Sequence, residues 1–237
     1  MCTLSLVALP EIKNGFILTS NRDEVTDREN LPPLWEEYNG VQLYFPKDKI
    51  AGGTWIGVSE MKRVISLLNG GFKNHKRKKS YRKSRGVVVK DFLAAEEIGE
   101  VTGNYELYDI EPFTMVIADW QQELHFLEFV WDGEKRYLKE LPLTGHIWSS
   151  SPLYSEEMQA KRRQWFDDLK IGNEPDAGTL LQFHHSAGVG DKNIDLIMDR
   201  GFLKTQSISQ IEKTKSGVRF WYKELANATV SENILRL

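Results

Sequence analysis

The amino-acid sequence predicts an α+β fold, laid down in layers as one domain over residues 1–237. Three observations carry that reading. β-prone runs come first, helical patterns follow, and β-prone runs close the chain. No Pro/Ser-rich linker divides it, and no internal repeat is present. At 237 residues the chain is long enough to bury a sizeable core.

The elements follow in order. Thr3 to Leu9 is apolar and β-prone, Lys13-Asn14-Gly15 is a turn signal, and Phe16 to Ser20 returns as the second strand of a hairpin. Glu29 to Gly40, carrying Pro32-Pro33, reads as a loop. Ala51 to Val58 and Arg63 to Leu68 read as a second hairpin turning near Glu60 and Met61. Residues 72–85 break the pattern as a basic surface loop, because Lys73 to Arg85 carries eight Lys or Arg.

Gly86 to Glu97 reads as a helix with Val88, Phe92 and Ala95 on one face. Phe113–Asp119 and Glu123–Trp131 form a hairpin around Trp120-Gln121-Gln122, and Arg136 to Leu141 is a short strand beyond the Asp132-Gly133 turn. Tyr154 to Leu169 is the clearest helix, with Ser155 as N-cap and Glu156 and Glu157 in the first turn, where the helix dipole favours them. Leu180–Ser186 and Asn193–Met198 read as shorter helical pieces. Gln206–Glu212 and Gly217–Leu225 close the chain as a hairpin.

Composition narrows the function classes. Hydrophobic content of 41% and charged content of 27% are those of an ordinary globular protein, and a net charge of −3 favours no partner class. No apolar run reaches the ~18–20 residues needed to span a bilayer. The first ten residues lack the basic start and small-residue cleavage site of a signal peptide, so the expected location is cytoplasmic. The single cysteine excludes an internal disulfide and a cysteine-rich metal site. Nothing in the chain fixes an oligomeric state.

That cysteine is Cys2, directly after the initiator. Removal of Met1 would leave a thiol and a free α-amine on one residue, with reference pKa values near ~8.5 and ~8. One residue then holds both a nucleophile and its base. The plain alternative is an inert cysteine at the start of a strand. Asn21-Arg22-Asp23-Glu24 follows the second predicted strand. If the first two strands pair, Arg22 and Asp23 come near Cys2. There an arginine lowers a thiol pKa or clamps a carboxylate, and an aspartate holds the α-amine. The competing reading is a polar strand end with an internal ion pair.

Other residues carry less. Gly52-Gly53 lets backbones approach closely, and Trp55 is either a pocket wall or core. His184 and His185 are adjacent, so on a helix they point about 100° apart and do not share one ion. They read as surface or core residues, and His125 and His146 as structural. No metal site is expected. The basic loop is a solvated segment or a rim for an anion, and with only Phe72 and Tyr81 beside it a base-stacking platform is thin. Nucleic acid is thus an improbable partner.

A chain opening Met-Cys, with Asn21-Arg22-Asp23-Glu24 some twenty residues on, resembles the NRDE family, also called the transport-and-Golgi-organisation family. Gly52-Gly53-Thr54-Trp55-Ile56-Gly57, Leu68-Asn69 and Ser84-Arg85-Gly86 resemble further motifs of that family in order. The match is good over roughly the first hundred residues. His146–Ser150 and Thr205-Gln206-Ser207 depart from the family's Leu-Ser-Asn and Gly-Thr-Arg-Ser segments.

The resemblance implies a four-layer αββα sandwich of the N-terminal-nucleophile hydrolase type. It implies Cys2 as nucleophile and base, Arg22 and Asp23 as organisers of the amine and substrate, and Asn69 as oxyanion donor. Asn21, Trp55 and Arg85 become candidate substrate-binding residues. The implied activity is hydrolysis of an amide C–N bond. The alternative is a non-catalytic carrier on the same fold that binds haem or an acyl lipid. The expected ligand is therefore a small amide, acyl or porphyrin molecule. No cofactor is required, and haem enters only as a bound ligand.

Overall fold

The computed structural model describes residues 2–171 and 175–237. Met1, whose removal the nucleophile reading requires, lies outside the described residues, as does the side chain of Cys2. In chain order the strands and helices begin with β1 (Cys2–Leu9), β2 (Gly15–Val25), β3 (Asn30–Tyr38), β4 (Val41–Asp48), β5 (Ile56–Ser59) and β6 (Arg63–Asn69). Then come α1 (Arg85–Ala94), α2 (Ile98–Asn104), β7 (Phe113–Asp119), β8 (His125–Trp131), β9 (Arg136–Leu141) and β10 (His146–Ser149). The chain closes with α3 (Glu156–Leu169), α4 (Ala177–Ser186), β11 (Leu203–Thr214), β12 (Gly217–Glu224) and β13 (Val230–Leu235). The class is α+β, with two antiparallel sheets. Among the described residues, no helix is long and apolar enough to cross a membrane.

Contacts divide the chain into two compact units, Met1–Asp27 with Leu143–Arg236, and Arg28–Pro142. The first holds a sheet ordered β10-β1-β2-β11-β12-β13. Val7 and Ile17 from its strands pack against Phe166 of α3 and Leu180 and Phe183 of α4. Ser155 caps α3 by accepting from the Met158 N–H, as its position predicts, and Asp176 caps α4 through the Thr179 N–H.

The second unit is a seven-stranded meander, β3 to β9 in order. Val88, Phe92 and Leu93 of α1 pack on Phe113, Met115 and Phe129. Arg63 is fully buried and makes this packing possible. Its Nε donates to Asp119 Oδ2 at 2.6 Å, and its Nη1 donates to the carbonyls of Phe92 at 2.9 Å and Ala95 at 2.8 Å. One guanidinium thus meets a carboxylate and carbonyls at the C-terminal end of α1.

Two readings of the sequence are corrected. Glu29–Gly40 is not a loop but contains strand β3. Its two prolines are tolerated because β3 is an edge strand, and the register shifts between Leu31 and Leu34, where they sit. Asn39 and Gly40 have φ of 53° and 79°, the two positive values of a tight hairpin turn that an Asn-Gly pair supplies. Asn193–Met198 is likewise not a helix. Its carbonyls are taken by side chains from other elements. Arg162 donates to Ile194 O at 2.9 Å and to Asp195 O at 2.7 Å, and Asn21 donates to Leu196 O at 2.8 Å. Strands β4, β10 and β13 and helix α2 are further elements that the sequence patterns do not announce.

The glycines of the Gly52-Gly53 and Ser84-Arg85-Gly86 segments share one contact. Thr54 N–H donates to Gly86 O at 3.1 Å. A Cβ on Gly53 would lie 2.4 Å from the Gly86 carbonyl carbon, so backbone meets backbone at the start of α1. The replacement Gly53→Ala is expected to destabilise the protein by about 1–3 kcal/mol. Urea unfolding followed by far-UV circular dichroism measures this, and an unchanged midpoint would refute the contact.

Candidate functional site

Strands β1 and β2 pair in the register Cys2↔Arg22, Thr3↔Asn21, Ser5↔Thr19. The expected proximity of Arg22 to Cys2 is therefore met at the backbone. Period-2 alternation then splits the Asn21-Arg22-Asp23 segment between two faces of the sheet. Asn21 and Asp23 turn toward the helices, and Arg22 turns the other way with Ser20.

On the helix face every polar atom of Asn21 is engaged. Its Nδ2 donates to His184 O at 3.0 Å and to Leu196 O at 2.8 Å. Its Oδ1 lies 2.8 Å from His184 Nδ1, and His184 Nε2 lies 2.8 Å from Ser5 Oγ. Because the amide N–H groups are spent on carbonyls, Oδ1 must accept. Nδ1–H therefore donates to Asn21, and in the neutral ring Nε2 accepts from the Ser5 hydroxyl. Burial pushes the His184 pKa down to about 3, helped by the charge of Arg162. His184 is thus a core histidine. Its neighbour His185 is half-buried and packs edge-on against Trp221 instead. His125 is exposed on β8 beside Glu140, and His146 lies on β10 near Trp148.

Asp23 is wholly buried. Its Oδ2 accepts from the Tyr154 hydroxyl at 2.6 Å and its Oδ1 from the Thr205 hydroxyl at 2.7 Å. Burial raises its pKa, while the Arg162 charge and the two hydroxyl bonds oppose the rise. The Tyr154 hydroxyl is pushed well up by burial and by the Asp23 charge. Arg162 stacks its guanidinium 3.6 Å from the Tyr154 ring centroid and donates to Thr3 Oγ1. Arg162 and Tyr154 were invisible to motif reading, since their partners lie about 130 to 160 positions away.

On the other face Arg22 is 2% exposed, and its Nη1 donates to Gln206 Oε1 at 2.8 Å. The β2–β11 register passes from Thr205↔Asp23 to Ser207↔Arg22, leaving Gln206 as the bulged residue. The bulge re-aims Gln206, whose Nε2 also donates to Val25 O. Both segments that depart from the family pattern therefore touch the first two strands. Thr205 and Gln206 hold Asp23 and Arg22, and Ser149 pairs with Thr3.

The remaining candidates belong to the second unit. Asn69 ends β6 opposite Phe113, and its side-chain amide makes no hydrogen bond with any described residue. Trp55 is 7% exposed, between the Gly52-Gly53 turn and β5. Arg85 opens α1, with Nη2 3.2 Å from Glu111 Oε2 and Nη1 donating to Pro112 O at 3.1 Å.

Half of the basic loop's eight cations meet nearby carboxylates. Lys78 meets Asp109 at 2.8 Å, Lys83 meets Asp91 at 2.8 Å, and Arg77 lies 3.6 Å from Glu111. Arg82 donates to the carbonyls of Tyr108 and Glu106. The open cleft of about 650 Å³ beside it balances Lys78, Lys135 and Arg136 with Glu106, Asp109 and Glu134. An anion gains little there. Among the described residues, no cluster of His, Cys, Asp and Glu forms a metal site.

Known proteins give two kinds of likeness. The family model described as Transport and Golgi organisation 2 matches residues 1–171. No curated protein sequence matches the chain significantly. Among solved structures, a variant of the conjugated bile acid hydrolase of Clostridium perfringens is 12% identical with a TM-score of 0.57, over 98% of this chain and 92% of that one. The Caenorhabditis elegans ortholog of N-acylethanolamine-hydrolyzing acid amidase is 10% identical with a TM-score of 0.59, over 89% and 92%. Penicillin V acylase from Agrobacterium tumefaciens is 10% identical with a TM-score of 0.55, over 99% and 86%. At such identities the likeness is one of fold, the N-terminal-nucleophile hydrolase fold.

The neutral His184 makes a pH prediction. Its folded pKa lies below the unfolded value of 6.5, so the unfolded chain binds the extra proton. The stability this contributes is complete above the unfolded pKa and is lost as the pH falls from 6.5 toward about 3. The loss is on the order of a few kcal/mol. Urea unfolding at pH 7.5 and pH 4.5 should show a smaller drop for His184→Gln than for the unaltered protein. Equal drops would count against a buried neutral imidazole.

Proposed function

We propose that this chain, which belongs to the Transport and Golgi organisation 2 family, is an amide hydrolase whose nucleophile is Cys2 after loss of Met1. The observation that carries the reading is the Cys2↔Arg22 register on a sheet of this fold, with the carboxylate of Asp23 buried one residue further on. In this reading the thiol attacks the amide carbonyl, and its proton passes to the α-amine. The C–S bond forms as the carbonyl π electrons move to oxygen. Collapse of that oxyanion breaks the C–N bond, and the amine returns the proton to the leaving nitrogen. Water then hydrolyses the thioester and frees the acid.

Roles are carried over from the family resemblance, position by position. Arg22 supplies a buried positive charge that favours thiolate. Asp23, held by Tyr154 and Thr205, orients the α-amine. Asn69 has an uncommitted amide and is assigned the oxyanion. Trp55 and Arg85 are assigned to substrate binding. Asn21 is assigned a positioning role, because all of its polar atoms hold α4 and the 194–196 segment. The substrates proposed are small amides with an acyl part.

Two measurements test the reading. Intact mass should be one methionine short, and brief iodoacetamide treatment at neutral pH should add a single carbamidomethyl group. A panel of N-acyl 4-nitroanilides should be hydrolysed by the processed protein and left intact by Cys2→Ala. Retained Met1 with a sluggish thiol would refute the hydrolase and favour the carrier alternative, checked by haem and acyl-lipid binding. For an active enzyme, Asn69→Ala is expected to lower kcat by a factor of ~10²–10³ with little change in Kd for substrate.

A further inference from the structure

A second cleft lies wholly inside the first unit, between the outer strand β10 and helix α3. Ile147, Trp148 and Ser149 of the strand line it, with Gln159, Arg162 and Arg163 of the helix, and its volume is about 80 Å³. Positions 159, 162 and 163 are three and four apart, so they share one face of α3. Ser149 pairs with Thr3, and both alternate onto the sheet face that α3 covers, where Arg162 donates to Thr3 Oγ1. The proposed reaction makes no use of this cleft.

The lining is basic and holds no carboxylate. Arg162 is fully buried, and its other two acceptors are the carbonyls of Ile194 and Asp195. Arg162 feels the charge of Asp23, but Tyr154 stands against both, stacked on the guanidinium and bonded to the carboxylate. Arg163 is exposed at the rim and makes no ion pair with any described residue. Asp167, one turn further along α3, meets Lys170 at 3.0 Å instead. Burying a guanidinium beside uncharged acceptors alone is costly. The cleft therefore carries a positive potential that its own walls do not cancel.

We infer that the β10–α3 cleft binds a tetrahedral oxyanion, a phosphate or sulfate group. Size and donors select this class. A water claims about 30 Å³ of the liquid, so the cleft takes a few atoms of that size and no acyl chain or porphyrin. The Arg163 guanidinium offers a planar fork of donors suited to two oxygens of one anion. Gln159 Nε2 gives one hydrogen to Tyr154 O at 2.9 Å and keeps a second, and the Ser149 hydroxyl donates from the opposite wall. Arg162 lends charge from beneath. The oxyanion is a free ion or the end group of a larger molecule that stays outside. The inference stands independently of the hydrolase reading.

The probe is inorganic phosphate, titrated calorimetrically into the full chain at ionic strength held constant with sodium chloride. Saturable binding with a millimolar or lower Kd is expected, together with a raised Tm. Arg163→Gln should weaken binding about tenfold or more. Arg163→Lys keeps the charge without the fork and should recover part of the loss. Both variants should keep their Tm in phosphate-free buffer, since Arg163 is exposed. The double variant Lys76→Gln/Lys79→Gln, in the basic loop, should bind phosphate as the unaltered protein does. Three results would each overturn the inference: no saturable binding at millimolar phosphate, binding unchanged by Arg163→Gln, or binding lost only in the basic-loop variant. Phenyl phosphate separates the two sources. Comparable affinity identifies a phosphomonoester end group, and binding of inorganic phosphate alone identifies a free ion.

Discussion

Period-2 alternation along β2 is the constraint on which the first unit depends. Four consecutive residues, Ser20 to Asp23, are nearly excluded from solvent, and all are polar. A strand buried on both faces usually carries apolar side chains. Here each face must instead find partners for polar groups, and the two faces solve this differently. The helix face recruits His184, Tyr154, Thr205 and Arg162, so that the side-chain amide of Asn21 and both carboxylate oxygens of Asp23 are engaged. The opposite face holds Arg22 with Gln206 and leaves the hydroxyls of Ser20, Ser207 and Ser209 uncommitted among the described residues. A fully satisfied network rigidifies the strand it holds.

The helix-face network also explains why the 194–196 segment is irregular. Its carbonyls serve Arg162 and Asn21 rather than a helix ladder. Asn21 therefore acts at long range, tying a strand end to a loop some 175 positions later. Removing one member would strand the others in a low-dielectric interior, which is why such groups behave as a unit. The β11 bulge belongs to the same design. Without the extra residue, Thr205 and Ser207 could not face opposite sides while both staying in register with Asp23 and Arg22.

The second unit combines close backbone approach with polar contacts around Arg63, Asp91 and Glu36. Gly53 and Gly86 let the turn before β5 and the first turn of α1 touch through backbone. Arg63 then closes the far end of the same helix. Trp55 and Arg85 flank the glycine contact.

The sequence by itself determined the α+β class, the β1–β2 and β11–β12 hairpins, the Ser155 cap of α3 and the adjacency of Cys2 to Arg22. Each rests on local patterning or on a hairpin register that a short turn enforces. It also singled out Asn69 and the glycine segments, through their motif context. Only the tertiary structure decided that β3 is a strand, because the tolerance of Pro32 and Pro33 depends on β3 being an edge. Only it decided that Asn21 is committed to His184, that Tyr154 and Arg162 surround Asp23, and that Asp91, Asp109 and Glu111 offset part of the basic loop's charge. These are contacts between residues far apart in the chain. Nothing in local periodicity encodes them, because the partner of a buried polar group is chosen by three-dimensional packing and not by spacing.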